Sequence, residues 1–311
     1  MRFRATTRLA ACCVAMVALL LASCGGGRES DGPPELAVSI PIFADTVGRI
    51  AGDRFTVWPV APPGTDPHTY EATPRDIVRM TKSAGFIFMG ASNEAFIESG
   101  GWRRAARDSG MPQLEYAQVV DLIEVDRIID HGDHVHDLRD GDPHIWLDPM
   151  KVIETIDPTV AFLASIDPEG ADVFRVNGEQ LRTDLLALDA ELEAGLAVIP
   201  PERRKLVVFH NAYTYFAARY GFEVVEYVIK APGSEPSARE IAAIHQTIRE
   251  AGINAVFAEP QFDARILERI AEDRGIRVGL LLTDTFTDDV EDYFALMRHN
   301  MRELVRHLAP E

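Results

Sequence analysis

Cysteine is almost absent from this 311-residue chain: Cys12, Cys13 and Cys24 are the only three, all within the first 24 residues. The body that follows has no thiol for a disulfide, a thiolate metal site or a nucleophile, so any metal must rest on His, Asp or Glu. The H-E-x-x-H pattern of zinc hydrolases is missing. No repeat of fixed short period marks a solenoid or a propeller. Basic residues are outnumbered, with 31 Lys and Arg against 49 Asp and Glu and a formal charge of −18. Nucleic acid and anionic lipid surfaces are therefore poor partners. What remains, 47% hydrophobic and 26% charged, is the composition of a globular protein large enough for two α/β-sized lobes.

The start of the chain reads differently. Arg2, Arg4 and Arg8 precede the apolar run LAACCVAMVALLLAS, which has the charged start and short hydrophobic core of a secretory signal. At about fifteen residues the run is short for a membrane span. It ends in Leu21-Ala22-Ser23-Cys24, and LASC resembles the lipobox of bacterial lipoproteins, where cleavage precedes a cysteine that is then lipidated. Residues 1–23 are expected to be a signal peptide, Cys24 the lipidation site, and residues 24–35, with GGGRESDGPPE, a flexible tether. Loss of residues 1–23 removes three arginines and no acid, leaving 28 basic and 49 acidic residues and a net charge of −21.

Short apolar runs then alternate with amphipathic stretches. Strands are predicted at 36–40, 55–60, 85–89, 206–209, 224–228, 254–258 and 278–282, with helices between them. That order predicts parallel α/β sheets, with ligand chemistry in loops beyond the carboxyl ends of strands. Thr73-Pro74 with Asp76 marks one helix start, and Ser237 with Glu240 forms a capping box at another. A longer helix is predicted from the Asp167 cap and Pro168, with Leu181, Leu185, Leu188, Leu192 and Leu196 at spacings of three and four up to Pro200-Pro201. Some thirty helical residues span about 45 Å, more than one lobe needs. The predicted organisation is a first lobe at 36–166, a linking helix at 167–200 and a second lobe at 201–311.

Residues 131–144, HGDHVHDLRDGDPH, set four of the nine histidines among four aspartates. Imidazole and carboxylate are donors for zinc and other divalent first-row metals, but a loop alone holds no fixed geometry. Other donors fall where strands end. His68 lies between a strand and the helix capped by Thr73, and His144 precedes a helix that Asp148 and Pro149 can begin. His210 follows LVVF, Glu259 follows NAVFA, and Asp284 lies just beyond the last strand. Each alone reads as a capping or hydrogen-bonding residue; together they lie on the side of the sheets where ligands bind.

These motifs give the chain its resemblance. From LAVSIPIFADTVGRIAG through GTDPHTYEATPRDI, DPHIWLDP and FHNAYTYFAARYG to AEPQF and DYFALMRHNMREL, it resembles the metal-binding solute receptors of bacterial ABC importers. This zinc and manganese receptor family includes lipoproteins first described as adhesins. The resemblance implies two α/β lobes joined by one long rigid helix, with metal clamped between them. It makes His68 and His144 ligands from the first lobe and His210 and Asp284 ligands from the second. Where the family usually has aspartate followed by serine and leucine, this chain reads TDTFT, so Asp284 takes its register from the preceding strand. Glu259 is the alternate carboxylate, with a hydrogen-bonded supporting role expected; Asp66 and Asp148 are candidates for orienting imidazoles, with capping the expected task of Asp148.

The resemblance also implies that His131, His134 and His136 belong to a mobile acid- and histidine-rich insertion that collects metal weakly or has no role. Three imidazoles and one carboxylate suit Zn2+, with Mn2+ the alternative. The implied partners are an ABC permease with its ATPase and, through Cys24, the outer side of a membrane; the receptor is expected to be a monomer. A surface adhesin with incidental metal binding is a further reading. An enzyme is not expected, since four protein ligands leave no open position for a substrate. Cys24→Ser is expected to release the protein from the membrane fraction or block its processing. Unchanged fractionation with an unmodified Cys24 thiol by mass spectrometry would contradict the anchor.

Overall fold

Two four-stranded sheets, each parallel throughout, carry the architecture. The computed structural model describes residues 32–98, 102–124, 128–130, 135–137, 141–230 and 233–310. In the first lobe β1 (Glu35–Val38), β2 (Thr56–Pro59), β3 (Phe86–Phe88) and β4 (Gln113–Glu115) lie in the order β2-β1-β3-β4. In the second, β7 (Lys205–Val208), β8 (Glu223–Tyr227), β9 (Ala255–Ala258) and β10 (Arg277–Leu280) lie in the order β8-β7-β9-β10. Both lobes are thus wound alike: the second strand lies on one side of the first and the third on the other.

Parallel neighbours require crossover connections, and helices supply most of them. In the first lobe α1 (Pro41–Ala51) follows β1, α2 (Pro74–Met80) follows β2, and α3 (Ala95–Glu98) with α4 (Trp102–Ser109) follows β3. The segment α5 (Pro149–Glu154), α6 (Ile156–Ile166) and α7 (Ala171–Leu196) leads into the second lobe. There α8 (Thr214–Tyr220), α9 (Ala238–Ala251), α10 (Arg265–Arg274) and α11 (Tyr293–Leu308) follow the four strands in turn. Thr73 and Ser237 each form a capping box, with Asp76 and Glu240.

Alternation along the strands divides the apolar side chains between three clusters. Leu36 and Val38 of β1 and Leu206 and Val208 of β7 enter one shared core. Ala37, Phe86 and Phe88 face an outer cluster with Trp58 and Trp102, and Val207, Val256 and Ala258 face another with Leu267 and Ile270. The shared core contains Leu181, Leu185, Leu188, Leu192 and Leu196 of α7, so the leucine seam of the connecting helix binds both lobes into one body.

Three details depart from the sequence reading. The long helix is shorter than 167–200: Pro168–Gly170 forms a 3-10 turn, and α7 covers 26 residues, about 39 Å. Asp167, expected as the helix cap, stands at the N-cap of that turn, and its carboxylate pairs with Arg54 at 2.6 and 2.7 Å. β4 has the sequence Gln-Leu-Glu, an edge strand with a single apolar residue and no pattern to reveal it. Residues expected to be loop form an antiparallel pair, β5 (Ile128–Asp130) with β6 (Val135–Asp137), placing Ile129 opposite His136.

Leu188 is fully buried in α7, so Leu188→Ala is expected to cost about 2–5 kcal/mol in denaturant unfolding. With one core spanning both lobes, unfolding should remain a single transition. A two-step transition that loses one lobe first would contradict that coupling.

Candidate metal centre

Local turn chemistry holds the two first-lobe histidines. Asp66 accepts the backbone N–H of His68 at 2.9 Å, and its carbonyl accepts Tyr70 N–H, also at 2.9 Å. Before the second histidine, Gly141 has φ +106°, and a Cβ there would lie 2.5 Å from the Leu122 side chain; only glycine fits such a bend. Asp142 then accepts His144 N–H at 3.0 Å. A 3-10 turn, Ile145–Leu147, leads into α5, where Asp148 caps by accepting Met150 N–H at 2.8 Å.

The second-lobe donors come from strand ends. His210 follows β7 and Glu259 follows β9, adjacent strands whose following chain segments leave to opposite sides, the usual position for a ligand in a doubly wound sheet. Asp284 lies four residues beyond β10 in a tightly held segment. The Asn300 side chain on α11 bonds both the N–H and the carbonyl of Leu282, at 2.8 and 2.7 Å. Trp146 Nε1 donates to the Thr283 carbonyl at 2.9 Å, and Gly64 N–H donates to Thr285 Oγ1 at 2.6 Å. Both of these last bonds come from the first lobe.

The structure brings His68, His144, His210 and Asp284 together. The three histidines each offer a ring nitrogen within 4.8 Å of the others; Asp284 joins His210 and Glu259 in a second such triad, and His68 and Asp66 in a third. His68 Nε2 and His144 Nε2 are 3.1 Å apart, and His210 Nε2 is 3.6 Å from Asp284 Oδ2. Two nitrogens bonded to one tetrahedral zinc are about 3.3 Å apart, so these spacings suit edges of a coordination polyhedron. Among the described residues, His210 Nε2 and Asp284 Oδ1 are buried polar atoms without a hydrogen-bond partner. Such atoms are costly to bury unless something pairs with them.

Carboxylates behind the rings set their orientation. Asp142 Oδ1 lies 2.7 Å from His144 Nδ1, and Glu259 lies 2.9 Å from His210 Nδ1. Each can hold an Nδ1–H and leave Nε2 as the donor facing the cleft. Glu259 is further engaged by Gln261 Nε2 at 3.0 Å and by the Thr283 hydroxyl. Burial works to raise Asp142, but His144 and the hydrogen bonds hold it below the usual carboxylate range. Burial opposes the charged form of His210, yet Glu259 and Asp284 outweigh it and push the ring up to about 10. Burial pushes Asp284 up to about 6 against the pull of His210 and His144. A cation bound through His210 would have to displace its proton, so such binding is expected to weaken as pH falls.

His131 and His134 lie outside the described residues, as does Cys24; His136 is on β6. The sequence reading missed Asp142, although a signal was present: Asp-Pro-His occurs at 66–68 and again at 142–144.

Two parallel-sheet lobes, a connecting helix, and buried imidazoles and carboxylates facing one another across the cleft define the class of protein, a metal-binding solute receptor. The family described as zinc-uptake complex component A, periplasmic (ZnuA), matches residues 36–307, and the chain belongs to that family, whose members are receptors and not enzymes. It is 27% identical over 308 residues to the manganese-binding lipoprotein MntA of Halalkalibacterium halodurans, covering 95% of this chain and 97% of that protein. It is 25% identical over 280 residues to the zinc-binding protein AdcA of Streptococcus pyogenes serotype M1, covering 85% of this chain but 54% of AdcA. A crystal structure of ZnuA, 27% identical, superposes with a TM-score of 0.75 over 89% of this chain and all of that one. The periplasmic zinc-binding protein TroA of Treponema pallidum, 25% identical, gives 0.77 over 90% of this chain and all of TroA.

Asp142→Asn keeps an acceptor for His144 N–H but removes the anion behind the ring. It is expected to lower metal affinity by about 10–100-fold in chelator competition. Undiminished affinity would show that Asp142 serves the turn alone.

Proposed function

We propose that this receptor captures Zn2+ through His68, His144, His210 and Asp284 and delivers it to an ABC permease driven by an ATPase. The observation that carries the reading is the pair of buried, partnerless donor atoms, His210 Nε2 and Asp284 Oδ1, beside two imidazole nitrogens 3.1 Å apart. A hydrated cation sheds its water as three imidazoles and one carboxylate replace it. This mainly nitrogen set of low charge suits four-coordinate zinc, whereas manganese favours more oxygen. The core shared by both lobes favours small rocking movements or loop ordering over a wide hinge closure. Lipidation at Cys24 would keep the receptor outside the membrane beside its permease. Manganese is the second reading, favoured by likeness to a manganese-binding lipoprotein over 95% of the chain.

Affinity alone does not identify the physiological metal, because nitrogen-rich sites hold zinc more tightly than manganese in any case. The test is a strain lacking the receptor, grown under separate zinc and manganese limitation with cellular metal measured. The expected defect is zinc-specific and is rescued by the wild type and by a chain lacking residues 131–137, but not by His210→Ala. A defect confined to manganese limitation would reassign the metal, and loss of rescue on removing 131–137 would move the essential donors to that segment.

A further inference from the structure

The two Asp-Pro-His tripeptides make the same local turn but direct their carboxylates differently. Asp142 contacts the ring of its own histidine at Nδ1. Asp66 accepts the His68 backbone N–H and the Thr69 hydroxyl, each at 2.9 Å, and it offers an oxygen within 4.8 Å of ligand atoms on His68 and Asp284. Resting on the site reading above, we propose that Asp66 is a fifth donor, an oxygen ligand recruited by cations that take more than four ligands, giving one site two coordination modes.

Three imidazoles and Asp284 complete a tetrahedral set for zinc, and Asp66 then remains in its turn. Manganese is a harder ion with a preference for oxygen donors and higher coordination numbers, and a second carboxylate supplies what the tetrahedral set lacks. The surroundings permit both modes. Asp284 is fully buried and its Oδ1 has no hydrogen-bond partner, so a cation drawn to this carboxylate comes within reach of Asp66, which offers an oxygen within 4.8 Å of it. Asp66 is only partly buried, and the Thr69 hydroxyl bonded to it is exposed, so water can replace this carboxylate oxygen as hydroxyl partner. Two facing carboxylates repel each other until a dication lies between them, which couples the approach of Asp66 to occupancy.

The test compares Zn2+ and Mn2+ affinities by chelator competition in the full chain, in Asp66→Asn, in Asp66→Glu and in His210→Ala. Asparagine keeps Oδ1 as acceptor for the His68 N–H, and its Nδ2 can donate to the Thr69 hydroxyl oxygen, so the turn retains both partners while the charge is lost. Asp66→Asn is expected to weaken Mn2+ by about tenfold or more, at least the loss that removing even an outer-shell partner produces, with a smaller change for Zn2+. Asp66→Glu should return the manganese-to-zinc ratio towards that of the wild type, and His210→Ala should weaken both metals. Equal losses of both metals in Asp66→Asn, or no loss of either, would reduce Asp66 to a turn residue while leaving the site itself standing. Weak binding of both metals by the wild type, unaffected by His210→Ala, would instead overturn the reading of the site.

Discussion

Burial of negative charge between the lobes is the constraint on which the rest of the structure depends. Asp142, Glu259 and Asp284 are all withdrawn from water, and a carboxylate in that position is stable only when other charges and hydrogen bonds compensate it. Asp142 has a backbone N–H and an imidazole, and Glu259 has an imidazole, an amide and a hydroxyl. Asp284 is less well served. Its Oδ2 has longer contacts, to Gln261 at 3.2 Å, Thr283 at 3.3 Å and the His210 ring at 3.6 Å, and its Oδ1 has no hydrogen-bond partner. A divalent cation held among three imidazoles would supply the missing compensation.

The scaffold keeps that arrangement from relaxing. Trp146 and Gly64 bind the segment around Asp284 from the opposite lobe, and Tyr293 Oη donates to the Trp146 carbonyl at 2.8 Å. Tyr215 Oη donates to the Asp142 carbonyl at 2.7 Å and accepts Ile123 N–H at 2.9 Å, tying α8 to both ends of the histidine-rich insertion. Arg219 of the second lobe meets Asp189 of α7 at 2.9 Å, joined there by Tyr220. Opening the lobes widely would break these bonds together and expose a common core.

Legibility in the sequence followed the range of the interactions. Thr73 and Ser237 could be read because a cap and its partner are three residues apart, and α7 because its leucines repeat every three or four. β4 could not, since an edge strand of three residues exists through pairing with β3. The β5–β6 pair lay hidden in a segment whose composition suggested a loop. For the site, position at strand ends drew out His210, Glu259 and Asp284, and the resemblance through GTDPHTYEATPRDI and DPHIWLDP distinguished His68 and His144 from the histidines at 131–136. The tasks of Asp142 and Asp66 were not legible, although the repeated tripeptide was. Which way each carboxylate turns depends on contacts formed only when residues 66, 142, 210 and 284 meet.

The most direct test of the central claim is an anomalous difference map from crystals of the zinc-loaded chain, recorded at the zinc edge. The account predicts one dominant peak, about 2.0–2.1 Å from ring nitrogens of His68, His144 and His210 and in bonding contact with Asp284. A dominant peak on His131, His134 or His136, or none within the cleft, would contradict it.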